Sequence, residues 1–149
     1  MIAQAQKVNR FPGRVTYHLN DHNDLSLFPS SRYDFLISVI VLQHMPAALQ
    51  RNYIGEFLRL LKPGGMAFFQ AVHTCGWRKL IPDSAADFYR RLKYKNRPAT
   101  YIPHYAIPVE DVRAIIRRAG CTVVKYECVP YTSRPNRWRS DSFWVKKAA

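Results

Sequence analysis

The sequence predicts an α/β fold: a mostly parallel sheet that ends in an antiparallel C-terminal strand. Three observations carry this reading. Phe35 to Leu42 is an apolar run broken only by Ser38, and its length and β-branched content suit a strand buried on both faces. From Leu49 onward, Tyr53, Ile54, Phe57, Leu58 and Leu61 recur at spacings of three and four, which puts them on one helical face. Lys62-Pro63-Gly64-Gly65 stops that helix, and Met66 to Gln70 is a second short apolar strand. Strand, helix, turn and strand together make a right-handed crossover unit of a parallel sheet.

The remaining elements follow in chain order. Ile2 to Asn9 is rich in helix formers and ends before Pro12-Gly13. Val15 to Leu19 alternates and contains β-branched residues, which predicts a strand. Asn20 to Asp24 is a polar turn whose side chains can bond their own backbone. Pro46 falls where the first turn of the central helix tolerates proline. Ala71 to Pro108 has no clean period, and so long an excursion suggests function. Pro108 to Gly120 is the best-defined helix, with acidic residues at its start, Arg117 and Arg118 at its end and Gly120 as C-cap. Val109, Val112, Ile115, Ile116 and Ala119 form its buried stripe. Cys121 to Tyr126 and Ser142 to Lys147 read as the last two strands, joined by a Pro-containing loop.

Tyr33-Asp34-Phe35-Leu36-Ile37-Ser38, Val41-Leu42-Gln43-His44-Met45 and Arg59-Leu60-Leu61-Lys62-Pro63-Gly64-Gly65 occur in that order. Together they resemble the fourth-strand-to-fifth-strand segment of class I S-adenosylmethionine-dependent methyltransferases of the type 11/12-like kind. The resemblance implies a partial Rossmann-like methyltransferase sheet, with S-adenosylmethionine as cofactor and a small-molecule or sugar-like acceptor. It implies one domain over residues 1–149, with 71–108 covering the acceptor.

The same resemblance assigns site residues. Asp21 and Leu25 reproduce the spacing of an adenine-side turn, with Asn20 beside them; an ordinary Asx turn is the alternative reading. Ser38 and Gln43, at the end of the fourth strand, complete the cofactor set. His44 is the candidate general base toward an acceptor hydroxyl or amine, or else a histidine that only hydrogen-bonds at the helix start. His73, His104 and Tyr105 are candidate acceptor contacts.

One departure from the family stands out. Its Gly-rich cofactor loop and its ribose-binding carboxylate have no counterpart here, and the one Gly-Gly pair, Gly64-Gly65, lies in a different turn. The chain therefore looks like a C-terminal portion of the domain, with weakened cofactor binding and doubtful turnover. The alternatives are a non-catalytic remnant or a subunit that needs a partner, or a basic RNA-binding methyltransferase of the same fold. Two absent strands would leave Phe35 to Leu42 with an unpaired edge, or force Val15 to Leu19 against it, and an open edge invites self-association.

Composition bounds the rest. The 149 residues suit one globular domain. Net charge is +13 and is unevenly placed: residues 1–70 hold 7 basic and 4 acidic side chains, residues 71–149 hold 16 and 6. Basic clusters interleaved with aromatics imply at most weak, charge-driven nucleic-acid binding, since no recognised binding motif accompanies them. Cys75, Cys121 and Cys128 are odd in number and lack metal-ligand spacing, which implies reduced, structural thiols. His18 and His22 lie across a strand-to-turn boundary and make no metal pair. No apolar run is long enough to span a membrane and no secretory signal is visible, so a cytoplasmic location without membrane contact is expected.

Overall fold

A computed structural model describes residues 2–74, 103–130 and 138–149, with a few single residues between 84 and 95. Most of the 71–108 excursion and the loop before the last strand therefore lie outside the described residues. The elements are α1 (Ile2–Lys7), β1 (Tyr33–Ser38), a 3-10 turn (Leu42–His44), α2 (Ala47–Leu60), β2 (Leu61–Thr74), α3 (Val109–Arg118), β3 (Cys121–Pro130) and β4 (Trp138–Lys147).

The four strands form one sheet in the order β1-β2-β4-β3. β1 pairs parallel with β2, and β4 runs antiparallel to both β2 and β3. Three strands thus point one way and the C-terminal strand opposes them, as the sequence predicts. The β1–β2 crossover is made by α2. At its end the register shifts: Tyr33 faces Leu61 but Phe35 faces Met66, so Lys62 to Gly65 bulge out between the two partners.

α2 and α3 cover one face of the sheet. Ile54, Phe57 and Leu58 from α2 and Val112 and Ile116 from α3 pack on Ala67, Phe69, Ala71, Phe143 and Val145. The rings of Phe69 and Phe143 stack at 5.5 Å between centroids. Leu42, Ile54, Leu58, Phe69 and Phe143 are fully shielded from solvent, and burying each such side chain contributes about 1.5–3 kcal/mol before conformational entropy is set against it. Lys147 closes the C-terminal end of α2, where its Nζ donates to the carbonyls of Leu58 (3.1 Å) and Leu61 (2.8 Å). A cation there also complements the helix dipole.

Two expectations are corrected. Val15 to Leu19 is not a strand. A strand needs a neighbour to take its backbone hydrogen bonds, and none of the described strands pairs with this stretch; Leu19 is left 79% exposed. The run Phe35 to Leu42 is a strand only as far as Ser38, and it is not buried on both faces. β1 sits at the edge of the sheet, so Phe35 and Ile37 are 49% and 63% exposed. The chain leaves the sheet at Val39 because Ile40 takes φ +60°, a left-handed conformation that is a steric outlier for a β-branched residue. Of the two outcomes expected for this strand, the unpaired edge is the one observed among the described residues.

Candidate active site

The carboxyl ends of β1 and β2 open onto the same end of the sheet, the usual ligand side of an open α/β fold. Ser38 closes β1 and is 7% exposed. Val39, Ile40 and Val41 follow as an exposed apolar ledge, and strain such as that at Ile40 tends to gather at functional sites.

The 3-10 turn places Gln43 and His44 directly after this ledge. The segment 103–107 lies against it and is held by backbone: Tyr105 N donates to Gln43 O at 2.8 Å, and Ile107 N to Val72 O at 2.9 Å. His44 Nδ1 stands 3.0 Å from Pro103 O. A carbonyl only accepts, so Nδ1 carries the hydrogen and Nε2 keeps the lone pair in the neutral ring. Gln43 Nε2 is 3.3 Å from that Nε2, and the His104 ring meets His44 edge-on at 4.8 Å between centroids. Beneath them Gln50, fully buried, donates from Nε2 to Met45 O (2.8 Å) and Tyr105 O (3.3 Å). Four sequence-predicted residues, Gln43, His44, His104 and Tyr105, are thus brought together, although about sixty positions separate the two pairs.

The turn Asn20 to Leu25 is a different matter. Asn20 Nδ2 donates to Asp24 O at 2.7 Å and to Tyr53 Oη at 3.1 Å, and its Oδ1 accepts from His22 N. Leu25 N donates to Glu56 Oε2 at 3.0 Å. These contacts brace the turn on α2, which is the structural role of an Asx turn. Asp21 is 81% exposed at its side chain and stands 3.3 Å from His22 Nε2.

His73 belongs to a separate cluster at the same sheet end. Its Nδ1 pairs with Asp141 Oδ2, and Tyr126 Oη donates to Asp141 Oδ1 at 2.6 Å. Asp141 is 1% exposed. Cys128 completes the group: one ligand atom each from His73, Cys128 and Asp141 lie within 4.8 Å of one another. Burial first, and then the hydrogen bond to Asp141, push the Tyr126 phenol well above its ordinary value. Sequence reasoning missed Asp141, Tyr126 and Gln50. The available signal was alternation: Tyr126 and Cys128, like Asp141 and Phe143, are two apart on strands and so share a face.

Comparison with known proteins agrees with this architecture. Residues 1–65 match the model of a methyltransferase domain family. No curated protein matches the sequence. A SAM-dependent methyltransferase from Methanosarcina mazei superposes with a TM-score of 0.62 at 18% identity, covering 99% of this chain and 77% of that one. Magnesium protoporphyrin IX methyltransferase from Synechocystis, with bound SAH, gives a TM-score of 0.59 at 15% identity, with 99% and 57% covered. The [4+2]-cyclase SpnF gives 0.60 at 15% identity, with 99% and 60% covered. By its matched segment and its superpositions, this chain is similar to methyltransferase domains and shares their fold.

Proposed function

We propose that the chain carries the acceptor side of an S-adenosylmethionine-dependent methyl-transfer site for a small-molecule acceptor. The observation that carries this reading is the Gln43–His44–His104–Tyr105 cluster, which stands at the ligand end of a methyltransferase-type sheet. The described residues fit one side of the cofactor. Ser38 and the apolar ledge of Val39 to Val41 offer a hydroxyl and a flat apolar surface to an adenosyl or methionine moiety. Asn20 fits less well, because its amide is already spent on Asp24 and Tyr53.

When bound, the sulfonium cofactor supplies the methyl group and leaves as a neutral thioether. The chain's own residues have two tasks. The first is positioning, the main contribution of an enzyme to an in-line displacement, and the backbone bonds from 103–107 to Gln43 and Val72 fix the acceptor-side wall for it. The second is proton removal. Pro103 O holds the His44 tautomer with its lone pair on Nε2, where Gln43 Nε2 now donates; an acceptor O–H or N–H that takes the amide's place can pass its proton there as its bond to the methyl carbon forms.

Transfer of labelled methyl from S-adenosylmethionine to a panel of alcohols, amines and thiols tests the proposal, with S-adenosylhomocysteine calorimetry alongside. His44→Asn is expected to lower kcat by about 100-fold or more while ligand binding is kept. Equal turnover by the variant would remove His44 from the mechanism. A second reading is favoured by the open β1 edge: a subunit whose sheet another polypeptide completes. Under it, the chain alone binds the cofactor product weakly and gains affinity only with that partner.

A further inference from the structure

We propose that His73, Cys128 and Asp141 form a binding site for a thiophilic divalent cation of the zinc class. Three neighbouring strands deliver the ligands. In register, Asp141 on β4 faces Cys128 on β3 and Ala71 on β2. His73 lies two residues beyond Ala71, so all three side chains rise from one face of the sheet. Their ligand atoms lie within 4.8 Å of one another. Ligands about 2.0–2.3 Å from a tetrahedral ion stand roughly 3.3–3.7 Å apart, so side-chain movements of about 1 Å close the set.

Charge and donor type select the ion. A thiolate, a carboxylate and a neutral imidazole balance a dication, which matters where Asp141 is 1% exposed. Sulfur and nitrogen donors disfavour magnesium and calcium, which take oxygen. Tyr126 supplies support for the ligand set: its hydroxyl donates to Asp141 Oδ1, so Oδ2, which pairs with His73 Nδ1 in the metal-free chain, is the oxygen that turns to the metal when that pair opens. Loading releases the Cys128 thiol proton, and His73 coordinates through a ring nitrogen. Three protein ligands leave a fourth position for water or a ligand group. This arrangement does not depend on methyl transfer.

The metal-free chain titrated with zinc against a chromophoric chelator should bind about one equivalent. Cobalt in its place should give tetrahedral visible bands and a thiolate-to-cobalt absorption in the near ultraviolet. Cys128→Ser should abolish the thiolate absorption and weaken zinc by ~100-fold or more; Cys121→Ser, at the far end of β3, should leave both unchanged. Zinc should also slow alkylation of Cys128 in the unaltered chain, read by mass spectrometry, which needs no variant to fold. A cobalt spectrum without the thiolate band, a band that survives Cys128→Ser, or unchanged alkylation would each overturn the site.

Discussion

Arg59 Nη2 donates to Glu56 Oε2 at 2.7 Å, and this pair pins the irregular 20–30 segment to α2. The same guanidinium donates to the carbonyls of Leu25 and Phe28, both at 3.1 Å, and to Ser30 Oγ at 3.0 Å. Glu56 Oε2 also accepts from Leu25 N. A segment that no described strand pairs is thus held by one ion pair and the carbonyls it gathers, together with the contacts of Asn52 and Tyr53 to the 20–24 turn.

This pair makes stability depend on acid. The hydrogen bond from Arg59 holds the Glu56 carboxyl below its ordinary value. A depressed folded-state pKa contributes stability that is present above the unfolded value and is lost as pH falls through the folded one. Urea unfolding should therefore show part of the stability disappearing below about pH 4.5. Glu56→Gln should cost ~1–2 kcal/mol at neutral pH and flatten that acid limb. An unchanged acid limb in the variant would place the acid sensitivity elsewhere.

The bulge between Tyr33 and Phe35 makes a steric prediction. A Cβ on Gly65 would stand 2.9 Å from Lys62 O and 3.2 Å from both Tyr33 O and Asp34 O, all backbone atoms. Gly64 has open space but φ +76°. Gly64→Ala should cost roughly 1–2 kcal/mol for the left-handed conformation alone. Gly65→Ala, which requires backbone to move, should cost more, about 2–3 kcal/mol. Thermal unfolding of the two variants ranks them, and the reverse order would show the bulge to be softer than its contacts imply.

The central crossover was legible because its signals are local. Helical spacing from Leu49, a breaker at Lys62 to Gly65 and apolar runs on either side are all read within about thirty residues. Val15 to Leu19 was misread for the opposite reason: alternation reports a strand's preference, but pairing needs a neighbour supplied from elsewhere in the chain. The residues of the Gln43–His44–His104–Tyr105 cluster were picked out through resemblance, while the contacts that assemble them, such as Tyr105 N to Gln43 O, join distant positions and leave no local trace. Cys128 looked isolated in the sequence. Strand register, not spacing along the chain, sets it opposite Asp141.

The edge strand carries a prediction about association. β1 presents Phe35 and Ile37 beside a row of backbone groups that no described strand pairs, with Val39, Ile40 and Val41 continuing the apolar surface. An open apolar edge pairs readily with a second copy. Sedimentation velocity should show concentration-dependent self-association of the isolated chain. Ile37→Lys, which puts a charge on an exposed edge position, should shift the population toward monomer without loss of helicity. A monomeric parent chain would remove the edge as an interaction surface.

Gln50 tests how the Gln43–His44–His104–Tyr105 cluster is held. Its Nε2 donates to Met45 O and Tyr105 O, while its Oε1, wholly buried, has no hydrogen-bond partner among the described residues. Gln50→Leu removes that orphaned oxygen together with the two bonds. The loss of donors to two carbonyls, at ~1 kcal/mol each, is then partly offset, and a net cost of about 1 kcal/mol is expected. Gln50→Glu keeps the shape but sets a carboxyl against two carbonyl acceptors. Protonated, it can still donate one hydrogen bond; ionised, it faces only acceptors and is buried without a partner. Its folded-state pKa must therefore rise, and the variant's stability is lost as pH climbs above the ordinary glutamate value of about 4.3. Urea unfolding across that range should show Gln50→Glu nearly matching Gln50→Leu in acid and falling well below it near neutrality. Parallel pH profiles for the two variants would mean that water reaches Gln50 and that the 103–107 segment is not held from beneath.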